Sequence, residues 1–194
     1  MKRLPVGRQN FAAIIKEDLL YVDKTRQMYE LIRTGNLYFL SRPRRFGKSL
    51  LVSTFQHLFS GKKALFKCLY IDEQTNYDWQ AFPVLQFNLA SYGHQIENLA
   101  EELHREIRAY ANSFEVSIET TSLSTAFKTL VEGISKKGKP VVLLIDEYDK
   151  PIVDFLTEYD KAKKKSEGTK RLLFTIKRFR CKRAYSLFVH YRRF

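Results

Sequence analysis

Apolar positions along the chain switch repeatedly between helical spacing and short continuous runs. Phe11, Ile14, Ile15 and Leu19 recur at three- and four-residue intervals and predict a short first helix. Leu20-Tyr21-Val22 reads as extended, and Asp23-Lys24-Thr25 opens a second helix carrying Met28, Leu31 and Ile32. Gly35-Asn36 supplies its stop, as a C-cap would. Leu37-Tyr38-Phe39-Leu40 then predicts a strand, and Leu50, Leu51, Phe55 and Leu58 a helix packed behind it. A turn follows at Phe59-Ser60-Gly61-Lys62. Leu69-Tyr70-Ile71 reads as a short strand ahead of a polar, aromatic loop from Asp72 to Trp79, with Trp79 and Phe82 as packing residues.

The second half repeats the alternation. Pro83-Val84-Leu85-Gln86-Phe87-Asn88-Leu89 reads as a strand with proline at its permitted first position. From His94 to Ala111 the spacing of Ile96, Leu99, Leu103 and Ile107 predicts an amphipathic helix with Glu97, Glu101, Glu102 and Arg105 outward, and Ser122 to Ile134 predicts another. Neither His94 nor His104 has a partner at metal-ligand spacing, so both read as surface histidines. Gly138 and Pro140 lead into Val141-Val142-Leu143-Leu144-Ile145, an unbroken aliphatic run of the kind a strand buried on both faces requires. The order strand, helix, strand, helix, helix, strand calls for an α/β fold, a parallel sheet with helices on both faces.

Candidate chemistry sits at the ends of two of these strands. Between the first strand and its helix lies Ser41-Arg42-Pro43-Arg44-Arg45-Phe46-Gly47-Lys48-Ser49. Gly47 would let a backbone approach phosphate closely, amides at the helix start would face its oxygens, Lys48 would reach the β- and γ-phosphates, and the Ser49 hydroxyl would hold Mg²⁺. In the full G-x-x-x-x-G-K-[ST] pattern the first glycine falls on Arg42, so only the Gly-Lys-Ser half stands, a weak signal alone. The second element strengthens it: the buried aliphatic run ends in Asp146-Glu147, where Asp146 would hold the metal and Glu147 would polarise an attacking water. The rival reading makes Gly47 a turn glycine, Lys48 a solvated side chain and Asp146 and Glu147 caps of a helix starting near Pro151; it accounts for each piece but not for their order. Asp149 reads as that helix's N-cap or as a third acid at the metal.

Composition narrows the partners. With 194 residues one α/β core is the default. Cys68 and Cys181 lack metal-ligand spacing and suit a reducing cytoplasm. No leader-like segment or membrane-length apolar stretch occurs, so the expectation is a soluble cytoplasmic protein with no membrane partner. The net charge of +13 is uneven: residues 166–194 carry +8, the rest only +5.

Taken together, Tyr21-Val22-Asp23-Lys24-Thr25, the loop Arg42 to Leu50, Phe82-Pro83-Val84 and Leu144-Ile145-Asp146-Glu147-Tyr148-Asp149 resemble the AAA-ATPase-like family of prokaryotic P-loop proteins, over residues 1 to about 165. The resemblance implies a P-loop NTPase of the additional-strand-catalytic-glutamate type. ATP would be held by Arg44, Arg45, Phe46, Gly47, Lys48, Ser49 and Leu50, Mg²⁺ by Ser49 and Asp146, with Lys48 and Glu147 catalytic. It further implies an oligomer that supplies an arginine finger, DNA-related work through a nuclease-like domain in longer members, and a further central strand bearing a sensor group. Residues 166–194 do not match that strand, so the sheet is expected to be incomplete at its C-terminal end. Two readings of this tail compete: an out-of-frame translation, or a basic arm binding nucleic acid through phosphates, with Phe174, Phe179 and Tyr185 for stacking.

Overall fold

A computed structural model of the chain describes residues 1–35, 37–42, 45–89, 91, 99–118, 122–147 and 184–191. Its helices are α1 (Phe11–Lys16), α2 (Thr25–Thr34), α3 (Lys48–Phe59), α4 (Tyr70–Glu73), α5 (Leu99–Ser113) and α6 (Leu123–Lys136), with a 3-10 turn at Lys63–Phe66. The strands β1 (Leu37–Arg42), β2 (Val84–Asn88), β3 (Val141–Asp146) and β4 (Ala184–Tyr191) form one sheet in the order β1-β4-β3-β2. β1 runs parallel to β4, Leu37 opposite Ser186 and Arg42 opposite Tyr191. The architecture is α/β, and every residue of β3 is buried, as its unbroken aliphatic run requires.

Two compact units divide the chain: Met1–Gln86 with Val142–Asp146 and Tyr185–Phe194, and Phe87–Val141 with Glu147–Ala184. In the first, Phe11, Met28, Val52, Phe55, Leu58, Phe66, Ile71, Val142 and Leu144 form one apolar core. Phe11 is fully buried, its ring 5.0 Å from that of Tyr21 and 4.8 Å from that of Phe66. Its backbone N–H donates to Ser53 Oγ at 3.0 Å, joining the start of α1 to the middle of α3. Trp79 and Phe82 pack against this core, as expected.

Three details differ from the sequence-based expectation. Leu69-Tyr70-Ile71 is not a strand, because Tyr70 and Ile71 open helix α4. The Asp23 carboxylate accepts from the Thr25 N–H through one oxygen and from the Tyr70 N–H through the other, both at 2.7 Å. The fully buried Thr25 hydroxyl accepts from the Ile71 N–H at 3.1 Å. One motif therefore starts α2 and satisfies two orphan donors of α4. Gly35 does end α2, but in an extended conformation (φ −177°). What it supplies is space: a Cβ there would lie 2.9 Å from Tyr38 Oη, whose hydroxyl donates to the Leu31 carbonyl and ties α2 to β1. The third is β4, in the stretch expected to hold no strand. Ala-Tyr-Ser-Leu-Phe-Val-His-Tyr is aromatic, β-branched and free of formal charge, but it sits in a tail whose nine Lys and Arg all lie outside it.

In the second unit, Leu103, Ile107 and Ala111 of α5 and Phe127, Leu130 and Ile134 of α6 are buried, and Phe87 packs edge-on to Tyr110 at 5.7 Å. Ser122 caps α6, accepting from the Thr125 N–H at 3.2 Å. His104 is half-buried rather than on the surface, with Nδ1 shielded and without a hydrogen-bond partner among the described residues. The positions of His94, Asp149 and Pro151 lie outside the described residues. Burial pushes the Glu106 carboxyl up to about 7. Among the described residues no helix is long and apolar enough to cross a membrane.

Removing the shared cap in Asp23→Ala should lower stability by about 1–2 kcal/mol, a melting decrease of several degrees, and Asp23→Asn, which keeps an acceptor, by less; equal effects in calorimetry would deny the cap its role. A carboxyl whose pKa rises on folding binds its proton more tightly in the folded state, so Glu106 lowers stability as pH climbs from 4.5 towards 7. Glu106→Gln should therefore gain on the wild type across that interval in urea unfolding, whereas a constant difference would place the effect elsewhere.

Candidate functional site

The candidate loop begins where β1 ends. Arg42, which stands where the full phosphate-loop pattern has its first glycine, is the last residue of β1. A strand's extended backbone is open to any residue, so no glycine is demanded there. Pro43 and Arg44 lie outside the described residues. The turn itself uses two left-handed positions, Arg45 at φ 64° and Gly47 at φ 71°. Gly47 takes this conformation without penalty, whereas Arg45 holds it at a cost of about 1–2 kcal/mol. Backbone strain of this kind concentrates at ligand-binding turns.

Gly47 is also the N-cap of α3. Asn10 caps α1 and Ser122 caps α6 with side-chain oxygens, but α3 starts without any side-chain cap. The Leu51 N–H donates to the Gly47 carbonyl at 2.9 Å. The amides of Lys48, Ser49 and Leu50 thus precede the first intrahelical bond, in the position from which helix N-termini bind anions. A Cβ on Gly47 would meet no atom within 4 Å. The space above the loop is open, and the glycine is required by backbone conformation rather than by crowding. Arg45 and Phe46 are exposed, while Lys48, Ser49 and Leu50 are half-buried.

Asp146 closes β3 with only 3% of its surface exposed. It belongs to the same unit as the loop. Glu147 follows directly at φ 49°, half-buried, and is counted with the second unit. Left-handed backbone on a glutamate turns the chain sharply out of the strand.

The donor set suits a small hard cation: a hydroxyl at the first turn of α3 and a buried carboxylate at a strand end. Among the described residues no three His, Cys, Asp or Glu side chains gather into a cage of their own. Mg²⁺ sites commonly draw only one or two oxygens from the protein. Sequence reasoning missed the C-terminal end of β4, whose register sets His190 beside Ser41 and Tyr191 beside Arg42, the last residue before the loop. The alternating run of Ala184 to Tyr191 was the signal that could have found it.

A strand, a strained turn and a helix that starts without a side-chain cap thus follow one another in an α/β frame. The chain belongs to the AAA-ATPase-like family, described as predicted AAA-ATPases, whose sequence model matches residues 5–189. The match runs past residue 165, where the sequence reading ended the resemblance, and includes most of β4. An uncharacterized protein from the 5′ region of vnfD in Azotobacter chroococcum mcd 1 is 39% identical over 183 residues. That alignment covers 91% of this chain but 34% of the relative, so the chain spans about a third of the relative's length. No solved structure matches.

Gly47→Ala should cost about 1 kcal/mol through the left-handed backbone alone. Chemical denaturation should show that loss with a folded α/β circular-dichroism spectrum, and an unchanged midpoint would remove the conformational demand on Gly47.

Proposed function

We propose that the chain binds ATP with Mg²⁺ at the loop formed by residues 44–50, as the nucleotide-binding part of an AAA-like ATPase. The observation that carries this reading is Gly47, left-handed, opening an uncapped helix directly after a strand. In parallel α/β sheets ligands sit outside the C-terminal ends of strands, where the loop after β1 and the residues after β3 both belong. The further central strand implied by a P-loop enzyme of the additional-strand type has a counterpart in β4, which stands between the strands carrying the two motifs.

The chain's own residues then take distinct roles. The amides of residues 47–50 and the Lys48 ammonium bind and orient the phosphates and oppose the negative charge that gathers on them as the terminal phosphoryl leaves. Ser49 and Asp146 would hold Mg²⁺, which when bound would supply charge neutralisation to the phosphates. Glu147 would accept a hydrogen bond from water and aim it at the terminal phosphorus. An arginine from a second copy of the chain would complete charge neutralisation, and the energy would serve DNA-related work.

The competing reading is a nucleic-acid module acting through residues 166–194 without ATPase activity. Eight of those residues form β4 within the sheet, which argues against a free arm over that stretch. Calorimetric titration separates the two. Lys48→Ala should weaken Mg·ATP binding by about two orders of magnitude, the loss of a charge-assisted contact to phosphate, and Glu147→Gln should keep binding while losing turnover. Wild-type ATP affinity in Lys48→Ala, with nucleic-acid binding dependent on residues 166–183, would favour the module instead.

A further inference from the structure

The positive charge of residues 1–165 is gathered in one stretch. Residues 24–48, which run through α2, β1 and the turn into α3, hold seven Lys and Arg against one acid, Glu30, a balance of +6. The rest of residues 1–165 holds eighteen basic against nineteen acidic side chains, a balance of −1. Elsewhere in the first unit cations are paired: Lys2 with Asp18 at 2.7 Å, Arg8 with Glu17 at 3.1 Å and Lys63 with Asp72 at 3.6 Å. Lys24, Arg26, Arg33 and Arg45 are exposed and enter no ion pair among the described residues. Arg26 and Arg33 rest instead over the rings of Tyr70 and Tyr29, at 5.8 and 5.6 Å. Asp23, beside Lys24, has both carboxylate oxygens engaged by the amides of Thr25 and Tyr70.

The same stretch carries the two phenyl rings exposed among the described residues, Phe39 at 56% and Phe46 at 60%. With Lys24 and Gln27 they line one cavity of about 280 Å³, and no Asp or Glu faces it. Arg45 directly precedes Phe46, and β1, which carries Phe39, is an outer strand in the order β1-β4-β3-β2. We propose that this corner is a docking surface for single-stranded nucleic acid, its phosphates drawn to Lys24 and Arg45 and its unpaired bases stacked on Phe39 and Phe46. Cations without carboxylate partners leave a field that attracts a polyanion. That field alone would suit an acidic protein equally. Exposed flat rings set among the cations favour bases, each of which has a π-face to stack. A duplex keeps those faces inside, so the strand that docks here is single. Lys24 and Phe39 lie outside residues 44–50, so this surface stands or falls separately from the nucleotide reading.

Fluorescence anisotropy of a labelled oligo(dT), long enough to span a site of roughly 4–16 nucleotides, tests the surface on the full chain. The wild type should bind it more tightly than a duplex of the same length, with an affinity that falls as salt rises. Phe39→Leu, which keeps the apolar bulk and removes the ring, should weaken binding about tenfold at every salt concentration. Lys24→Ala, at an exposed position that makes no side-chain cap, should weaken it several-fold and lower the salt slope by about one. Both variants should keep the wild-type affinity for Mg·ATP. A wild type that ignores the oligonucleotide, or binds duplex as tightly, would overturn the surface. So would wild-type binding in both variants, whether saturating Mg·ATP then displaces the strand, placing it on the loop, or Gln in place of the Lys and Arg of residues 170–182 abolishes binding, placing it on the tail. If Phe39→Leu melts well below the wild type, Lys24→Ala decides alone: an unchanged salt slope overturns the surface. Loss of Mg·ATP binding with oligonucleotide binding intact would remove the nucleotide reading and leave this one.

Discussion

Two oxygens of a single carboxylate set the geometry on which the candidate site depends. Asp23 accepts from the first turn of α2 with one oxygen and from the first turn of α4 with the other, and the buried Thr25 hydroxyl adds a third bond to the same place. α2 is thereby fixed at its start by α4 and at its end by the Tyr38 hydroxyl, which donates to the Leu31 carbonyl and meets the Thr34 hydroxyl. Tyr38 belongs to β1, and β1 delivers the chain to the loop. Positional information passes from a surface aspartate to the turn before α3 through five short-range contacts rather than through one large interface. The segment Tyr21 to Thr25, which looks remote from any chemistry in the sequence, is the foundation of this relay.

What could be read from the residues followed their periodicity. β1 and α3 were legible because Leu37 to Leu40 and Leu50 to Leu58 carry clear strand and helix spacings around the loop, and β3 because a continuous aliphatic run has few alternatives to a buried strand. α4 was not legible: Leu69-Tyr70-Ile71 has a strand's composition, and the bonds that make it helical come from residues about 46 positions earlier. Tertiary contacts overrode local preference there. β4 was hidden for a different reason. All nine Lys and Arg of residues 166–194 sit outside the strand, yet they dominate any charge count over the tail and mask eight residues of ordinary strand sequence. At the site, Gly47, Lys48 and Ser49 were visible as a motif, whereas the cavity beside Phe46 could not be seen, since α2 and the loop meet only once the chain is folded.

The missing first glycine also finds a physical reading. Arg42 is still part of a strand, and the sharp turning is done three residues later by Arg45 and then by Gly47. A strained arginine performs work usually left to glycine, and it keeps a permanently charged side chain exposed at the turn. Bending and charge are combined in one residue.

The place of β4 has a consequence for how the molecule is made. It is the last of the described strands in the sequence, yet it stands between β1 and β3. As the chain leaves the ribosome, β1, β2 and β3 all emerge before the strand that must separate two of them. Register is therefore settled late, by a contact joining residues 37–42 to residues 184–191, and such long closures slow folding. Until they form, β1 and β3 present unsatisfied edges that could pair with each other or with a neighbouring nascent chain. The first 180 or so residues thus reach a settled sheet only once the last of the described strands arrives.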